Sequence, residues 1–365
     1  MTTTLTNQTS ANLPERPRLR AGLPVLRRRP GELQIGTDAR HRTILTGVPD
    51  PLVPLLAGLT GRLTLDELLA RAGPDRTRLL DLLTSLAGSG LLLDAEPEPA
   101  TPARVAAEQT AAWLRARTAA ADLAEVRQQA VVVVHGNGRV AISVAMLLAA
   151  AGVGWVHPVA GGEVRAEDTG CGYLDADIGL PRSDAAAAAV RRAAVEVHTE
   201  PLPARIRPDL VVLADQPVPD PLLTASLVAE SIPHLSARAA EGCGLVGPLV
   251  VPGRTSCLRC LDLYVTRVDA CWPLLAAQLC GASQVTDAAT TQAVAAFAAA
   301  QALRALDPAA ERLPTHDGAI ELDTHTAESR RIPLSVHPAC HCQVRSRNDA
   351  RRMIRYRAEH ASIDR

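Results

Sequence analysis

Residues 131–159 read VVVVHGNGRVAISVAMLLAAAGVGWVHPV, and the order of residue types in this stretch decides the fold class. The β-branched run Ala130–His135 suits a strand, because branched side chains pack well on a pleated surface. Gly136-Asn137-Gly138 turns the chain, and the long apolar run Val140–Ala151 predicts a helix. Gly154–Val159 predicts a second strand. A strand, a glycine turn and a helix form a context in which backbone N–H groups at a helix N-terminus can approach phosphate. The GxGxxA pattern, completed by Ala141, serves equally well as a tight turn with no ligand. Further strands are expected at Asp209–Ala214 and Gly247–Val251, with helical patterns between them. This βα alternation predicts an α/β domain with a mostly parallel sheet.

Working toward the N-terminus, Asp94–Val105 (DAEPEPATPARV) is rich in Pro and Glu and reads as a linker, followed by an amphipathic helix around 106–128. Before it, Glu32–Ile35 and Thr43–Leu45 form a predicted hairpin around Gly36–Asp38. PDPLVPLLAGLTG, LTLDELLARAG and PDRTRLLDLLTSLAGSG (49–90) then place Leu at helical spacing, and each closes near Gly. A returning strand is expected at Leu91–Leu93. The expected domains are therefore a polar tail (1–15), a small module (16–95), a linker with a connecting helix (96–129), an α/β domain (130–345) and a basic C-terminal tail (346–365).

The 365 residues are 47% hydrophobic and 21% charged, enough apolar surface for two cores. A formal net charge of −1 with 2% aromatics argues against nucleic-acid binding, which needs a basic field or stacking platforms. The first twenty residues carry no apolar segment of a signal peptide, and the apolar runs at 143–160 and 286–303 are interrupted, so a cytoplasmic protein outside the membrane is expected.

Eight cysteines in a reducing compartment point to metal rather than disulfides. Cys257-Leu-Arg-Cys260 and Cys340-His-Cys342 supply two thiolate pairs far apart in sequence, which suits one tetrahedral Zn2+ acting as a long-range structural staple. His337 and His341 lie near enough to replace a ligand, and a redox CxxC is the competing reading. Cys171, Cys243, Cys271 and Cys280 stand alone and are expected as small buried hydrophobes, Cys171 being the one in a glycine-rich loop.

VVVVHGNGRVAISVAMLLAAAGVGWVHPV, DIGLPRSDAAAAAVRRA (177–193), DLVVLAD (209–215) and GPLVVPGRTSCLRC (247–260) occur in the order of the ThiF-like, ubiquitin-activating-enzyme-like adenylating family, and residues 130–342 resemble it. The resemblance implies a Rossmann-like domain in which Gly136 and Gly138 hold ATP. Arg182 stands where the family has a phosphate-contacting Lys, and Asp215 resembles its magnesium-contacting Asp. Ala160 and Gly162 replace the two acids that end the second strand, with Glu163 just beyond, so an incomplete ATP/Mg2+ site with weak binding is implied.

Residues 24–95 resemble a PqqD-like winged-helix module, the RiPP recognition element, through LTGVPDPLVPLLAGLTGRLTLDELLARAG (45–73) and LLDLLTSLAGSGLLL (79–93). That resemblance implies a leader peptide adding a strand at Arg42, Thr43, Ile44 and Leu45 and packing against Leu79, Leu82 and Leu83 of the third helix. Arg27, Arg28 and Arg29 could attract an acidic leader or simply form a solvated face. The combination resembles the cyclodehydratase C-component of thiazole/oxazole-modified microcin (TOMM) pathways. It implies a homodimeric scaffold with no catalytic residue of its own, presenting precursor peptide to a YcaO-type enzyme. The alternative is an active adenylyltransferase, with Cys171 as a possible acceptor thiol.

Overall fold

A computed structural model of the chain describes residues 13–95, 103–116, 123–282, 286–307 and 312–343. Most of the polar tail, much of the linker and the basic C-terminal run lie outside the described residues. The chain divides into two units, Met1–Ala124 and Glu125–Arg365.

The first unit contains β1 (Pro17–Leu19), β2 (Val25–Arg27), β3 (Glu32–Ile35), β4 (Thr43–Thr46), α1 (Val53–Ala57), α2 (Leu65–Arg71), α3 (Arg76–Gly88), β5 (Leu92–Asp94) and α4 (Ala103–Ala116). Strands β2, β3 and β4 form an antiparallel meander, with Leu33 opposite Leu45, and β1 pairs antiparallel with β5. The hairpin and the three helices fall where leucine spacing and turn glycines place them. The short strands β1 and β2 carry no comparable sequence signal. Thr64 starts α2 through a capping box: its hydroxyl accepts from the Glu67 N–H at 3.2 Å, and the Glu67 carboxylate accepts from the Thr64 N–H at 2.8 Å. Leu33, Leu52, Leu56, Leu79, Leu83 and Leu86 form the center of an almost wholly leucine core.

The second unit opens with α5 (Leu123–Gln129), which crosses the division. There follow β6 (Val131–His135), α6 (Arg139–Ala150), β7 (Trp155–Val159), α7 (Arg182–Ala193), β8 (Leu210–Ala214), α8 (Pro221–Ala229), β9 (His234–Ala240) and β10 (Cys243–Val250). It ends with α9 (Leu258–Val268), α10 (Trp272–Leu279), α11 (Ala288–Leu306), β11 (Gly318–Asp323) and β12 (Glu328–Pro333). Seven strands form one sheet in the order β12-β11-β10-β9-β8-β6-β7. The pairs β7/β6, β6/β8 and β8/β9 are parallel, whereas β9/β10, β10/β11 and β11/β12 are antiparallel. The sheet is thus mixed rather than mostly parallel. β9 (HLSARAA) and β12 (ESRRIP) carry too many polar or small residues to read as strands in sequence.

Side chains alternate along the central strands. Val132, Val134, Leu210 and Val212 face α6, α7 and α11, while Val133, Val211 and Leu213 face the α8/α9 side. Burial on both faces explains the unbroken apolar runs of β6 and β8. Gly154 lets the chain enter β7: a Cβ there would stand 1.8 Å from the Gln128 carbonyl oxygen.

Candidate functional site: a cysteine cluster and an internally capped glycine turn

Cys257 is the N-cap of α9 and Cys260 lies in its first turn, so one helix start presents both thiols. The segment after β12 brings in Cys340 and Cys342. Sulfur separations are 3.7 Å for Cys257–Cys260, 3.6 Å for Cys257–Cys340 and 3.7 Å for Cys260–Cys342, and all four sulfurs lie within 4.8 Å of one another. A tetrahedral ion with metal–sulfur bonds of about 2.3 Å has sulfur–sulfur edges of about 3.8 Å, whereas a disulfide needs about 2.05 Å. The four cysteines could therefore hold a metal ion, and their spacing fits a tetrahedral one.

Hydrogen bonding to Cys260 and burial push the Cys257 thiol far above its ordinary range, while the bond from Cys257 draws Cys260 down to about 5. Burial, then the charge of Cys260, pushes Cys342 up to about 12. Such a cluster reaches four thiolates only when a cation compensates them. His337 and His341 are not among the clustered donors. The His337 N–H donates to the Cys260 sulfur at 3.4 Å, while its Nδ1 accepts from the Ala339 N–H and its ring meets Tyr264 edge-on. Of the solitary cysteines only Cys171 is buried. Cys243, Cys271 and Cys280 are exposed, contrary to their expectation as buried hydrophobes.

The glycine turn has a different occupant from the one its pattern suggests. Asp215, at φ 67° just beyond β8, directs its carboxylate at the start of α6. Oδ2 accepts from the Gly138 N–H at 2.8 Å and the Ala141 N–H at 3.2 Å, and Oδ1 accepts from the Val140 N–H at 2.9 Å. These are the orphan donors that an anion at a helix N-terminus would use. Gly136 and Gly138 make room for that carboxylate: added Cβ atoms would lie 2.6 Å from Oδ2 and 2.9 Å from Oδ1, respectively. Burial pushes the Asp215 carboxyl up, and the three backbone donors oppose the shift.

Arg182 is buried against Asp168, whose Oδ2 accepts from Nη2 at 2.7 Å and from Nε at 3.1 Å; Nη1 donates to the Gly161 carbonyl at 2.9 Å. Asp168 also accepts from the Arg165 N–H. The Tyr173 phenol, pushed up by burial and next by the charge of Asp215, belongs to the same enclosed polar group. Asn137 holds the loop after β7 by accepting from the Gly161 N–H at 2.8 Å. Ala160, Gly162 and Glu163 add no carboxylate to this group, and Glu163 is exposed. Asp168 carries no motif that would reveal it in sequence; Asn137 was visible inside the glycine turn.

In the first unit, Thr43–Thr46 is one of the two outer strands of the meander. Leu45 is buried, whereas Ile44 is 38% exposed. Arg78 of α3 donates to the carbonyls of Thr46 and Gly47 at the end of this strand. Leu79, Leu82 and Leu83 all lie in the core, so the exposed leucine on α3 is Leu80. Arg27 pairs with Asp50, and Arg28 and Arg29 pair with Glu32, which reduces the positive field of that run.

Among solved structures, E. coli MccB with MccA-N7isoASN matches 90% of this chain and 99% of its own, at 15% identity and TM-score 0.61. E. coli MccB with ATP matches to the same extent. PaaA covers 86% of this chain and 98% of its own, at 17% identity and TM-score 0.61. Likeness at such identities shows the fold. No curated protein matches the chain in sequence. Among the described residues, no helix is long and apolar enough to cross a membrane. The ThiF family model matches residues 112–344, well over half of the chain, and with the Rossmann-like glycine turn and the mixed sheet it shows that the chain belongs to the ThiF family.

Proposed function

We propose that the chain is a peptide-binding scaffold in the maturation of a ribosomally made natural product. Residues 16–95 act as a winged-helix leader-binding module, and the ThiF domain, stapled by one Zn2+ on Cys257, Cys260, Cys340 and Cys342, acts as a structural platform with little or no ATP chemistry. Its partners are a precursor peptide, a YcaO-type cyclodehydratase that forms the azoline rings, and a second copy of itself. Holding a peptide in register can accelerate a reaction without a catalytic residue in the holder.

The observation that carries the reading is the Asp215 carboxylate on the N–H groups of Gly138, Val140 and Ala141. A triphosphate using this turn would have to displace that carboxylate, and Arg182 would have to leave Asp168. Support for the peptide role comes from the edge strand Thr43–Thr46, on which Ile44 is exposed, and from the exposed Leu80 on α3. MccB, which is described as a microcin C7 biosynthetic enzyme in complex with N-formylated MccA, has this fold over 90% of the chain, a share too large to omit the first unit.

The second reading, an active adenylyltransferase, is favored by the retained Gly136–Gly138 turn and by the MccB structure with ATP. ATP–pyrophosphate exchange separates the two. The scaffold reading expects none with precursor peptide present; peptide-dependent exchange by the unaltered chain establishes the adenylyltransferase.

A further inference from the structure

Along β9, Leu235, Ala237 and Ala239 face the α6 side of the sheet, so period-two alternation sends His234, Ser236 and Arg238 to the opposite face. There they line a cavity of about 500 Å3 together with residues of α8, α9 and α10. Val218, Leu245, Leu258, Val265 and Trp272 supply much of its apolar wall. The same three helices carry large apolar side chains to solvent: Leu222 on α8, Val268 at the end of α9, and Leu274 and Leu275 on α10. No residue of α10 is buried, although all but Gln278 of its eight residues are apolar.

Charge of both signs meets in this cavity. Arg238 and Arg259 line it, and so do Asp262 and the cluster cysteines Cys257, Cys340 and Cys342. No ion is therefore favored by its sign, and burying one would add a desolvation cost. What the walls leave open are hydrogen bonds. Ser236 is only 5% exposed, and among the described residues its hydroxyl meets no protein group. Arg238 donates from Nη1 to the Pro217 carbonyl and has no other protein acceptor among the described residues. Asp262 accepts from Trp272 Nε1 at 3.1 Å through Oδ1, which leaves Oδ2 for a further donor. Open donors and an open acceptor around an apolar wall fit a neutral amide, which accepts at its oxygen and donates at its nitrogen. Spacing narrows the choice. Ser236 and Arg238 stand two residues apart on one strand, about 6.8 Å, and the groups on one side of an extended peptide repeat at that interval.

We propose that this cavity is a second peptide subsite, on the ThiF domain, which takes a short uncharged apolar segment in extended form. Carbonyls on one side of the segment accept from Ser236 and Arg238, an amide N–H donates to Asp262, and the side chains enter the wall around Leu258, Val265 and Trp272. The exposed leucines of α8 and α10 continue the apolar surface beyond the mouth. The inference rests on the peptide-binding reading for the source of the segment, the precursor peptide, but uses none of the contacts assigned to the first unit.

Isothermal titration of the zinc-loaded full chain with the blocked tripeptide Ac-Phe-Ala-Leu-NH2 tests it, with Ac-Asp-Ala-Glu-NH2 and Ac-Lys-Ala-Arg-NH2 as comparisons. Saturable binding of the apolar peptide at millimolar concentration or below is expected, with both charged peptides at least tenfold weaker. Val228→Trp, which fills the cavity from α8, weakens binding tenfold or more, and Ser236→Ala with Arg238→Met together weaken it at least fivefold. Zinc content and circular dichroism establish that the variants fold, and the three peptides compare the same contacts in the unaltered protein. Leader binding by the first unit is read separately with labeled leader, so the failure of one subsite is distinguished from the failure of the other. The proposal is overturned if the apolar peptide does not bind saturably, if either charged peptide binds as tightly, or if the folded variants bind it normally.

Discussion

Replacing Asp215 with Asn separates the two roles that this side chain could have. The carboxylate serves three N–H groups with two oxygens, Oδ2 taking Gly138 and Ala141 and Oδ1 taking Val140. An amide keeps one acceptor oxygen, so the other position presents an NH2 to a buried backbone donor. That mismatch costs about 1–3 kcal/mol, and removing a negative charge from the start of α6 costs up to about 2 kcal/mol more. A net loss of roughly 2–4 kcal/mol lowers the melting temperature of a unit this size by roughly 5–15 °C. Asn tolerates the φ of 67° at this position, so backbone strain does not confuse the result as it would for Ala. Thermal melts at matched zinc content, with Asp215→Asn beside the unaltered chain, provide the assay. An unchanged melting temperature together with loss of Mg·ATP binding would refute the capping role and restore the metal-contacting one.

The other expectations follow from the same contacts. Arg182→Gln strands the Asp168 carboxylate and destabilizes the second unit by about 3–5 kcal/mol, read as a lower denaturation midpoint; no shift would mean that the pair is not formed in solution. Cys340→Ser abolishes stoichiometric zinc, measured by chelator release at one ion per unaltered chain, and lowers stability with it. Gly136→Ala drives a Cβ to within 2.6 Å of Asp215 Oδ2 and 2.7 Å of the Ala141 Cβ, an overpacking cost of about 1–3 kcal/mol. Burial holds the His234 imidazole below its ordinary range. Its contribution is therefore complete above about pH 6.5 and is lost as pH falls toward the folded-state value, at up to about 1.4 kcal/mol per pH unit. Denaturation series across that window should fall more steeply for the unaltered chain than for His234→Gln.

What was legible in the sequence depended on how local its physical cause was. The strand–glycine–helix unit at 131–150 was readable because valine runs, paired glycines and a long apolar helix each act over a few residues. The cysteine set was readable because two short spacings announce two ligand pairs, although only the fold could show that four sulfurs approach tetrahedral edge lengths. The glycine pattern could not reveal its occupant, since Asp215 reaches the turn from the end of another strand. Asp168 was hidden for the same reason: its partner Arg182 lies across a loop with no repeat or motif. β9 escaped notice because His234, Ser236 and Arg238 break the apolar pattern by facing a cavity, while the small alanines between them face the core.

The most direct measurement on the central claim is a fluorescence-anisotropy titration of the full zinc-loaded chain into labeled leader segments of candidate precursor peptides. Saturable binding that falls tenfold or more in Ile44→Asp and in Leu80→Asp, and is unaffected by ATP, is the predicted result. Absence of saturable binding, or binding that requires ATP and ignores both substitutions, would contradict the account.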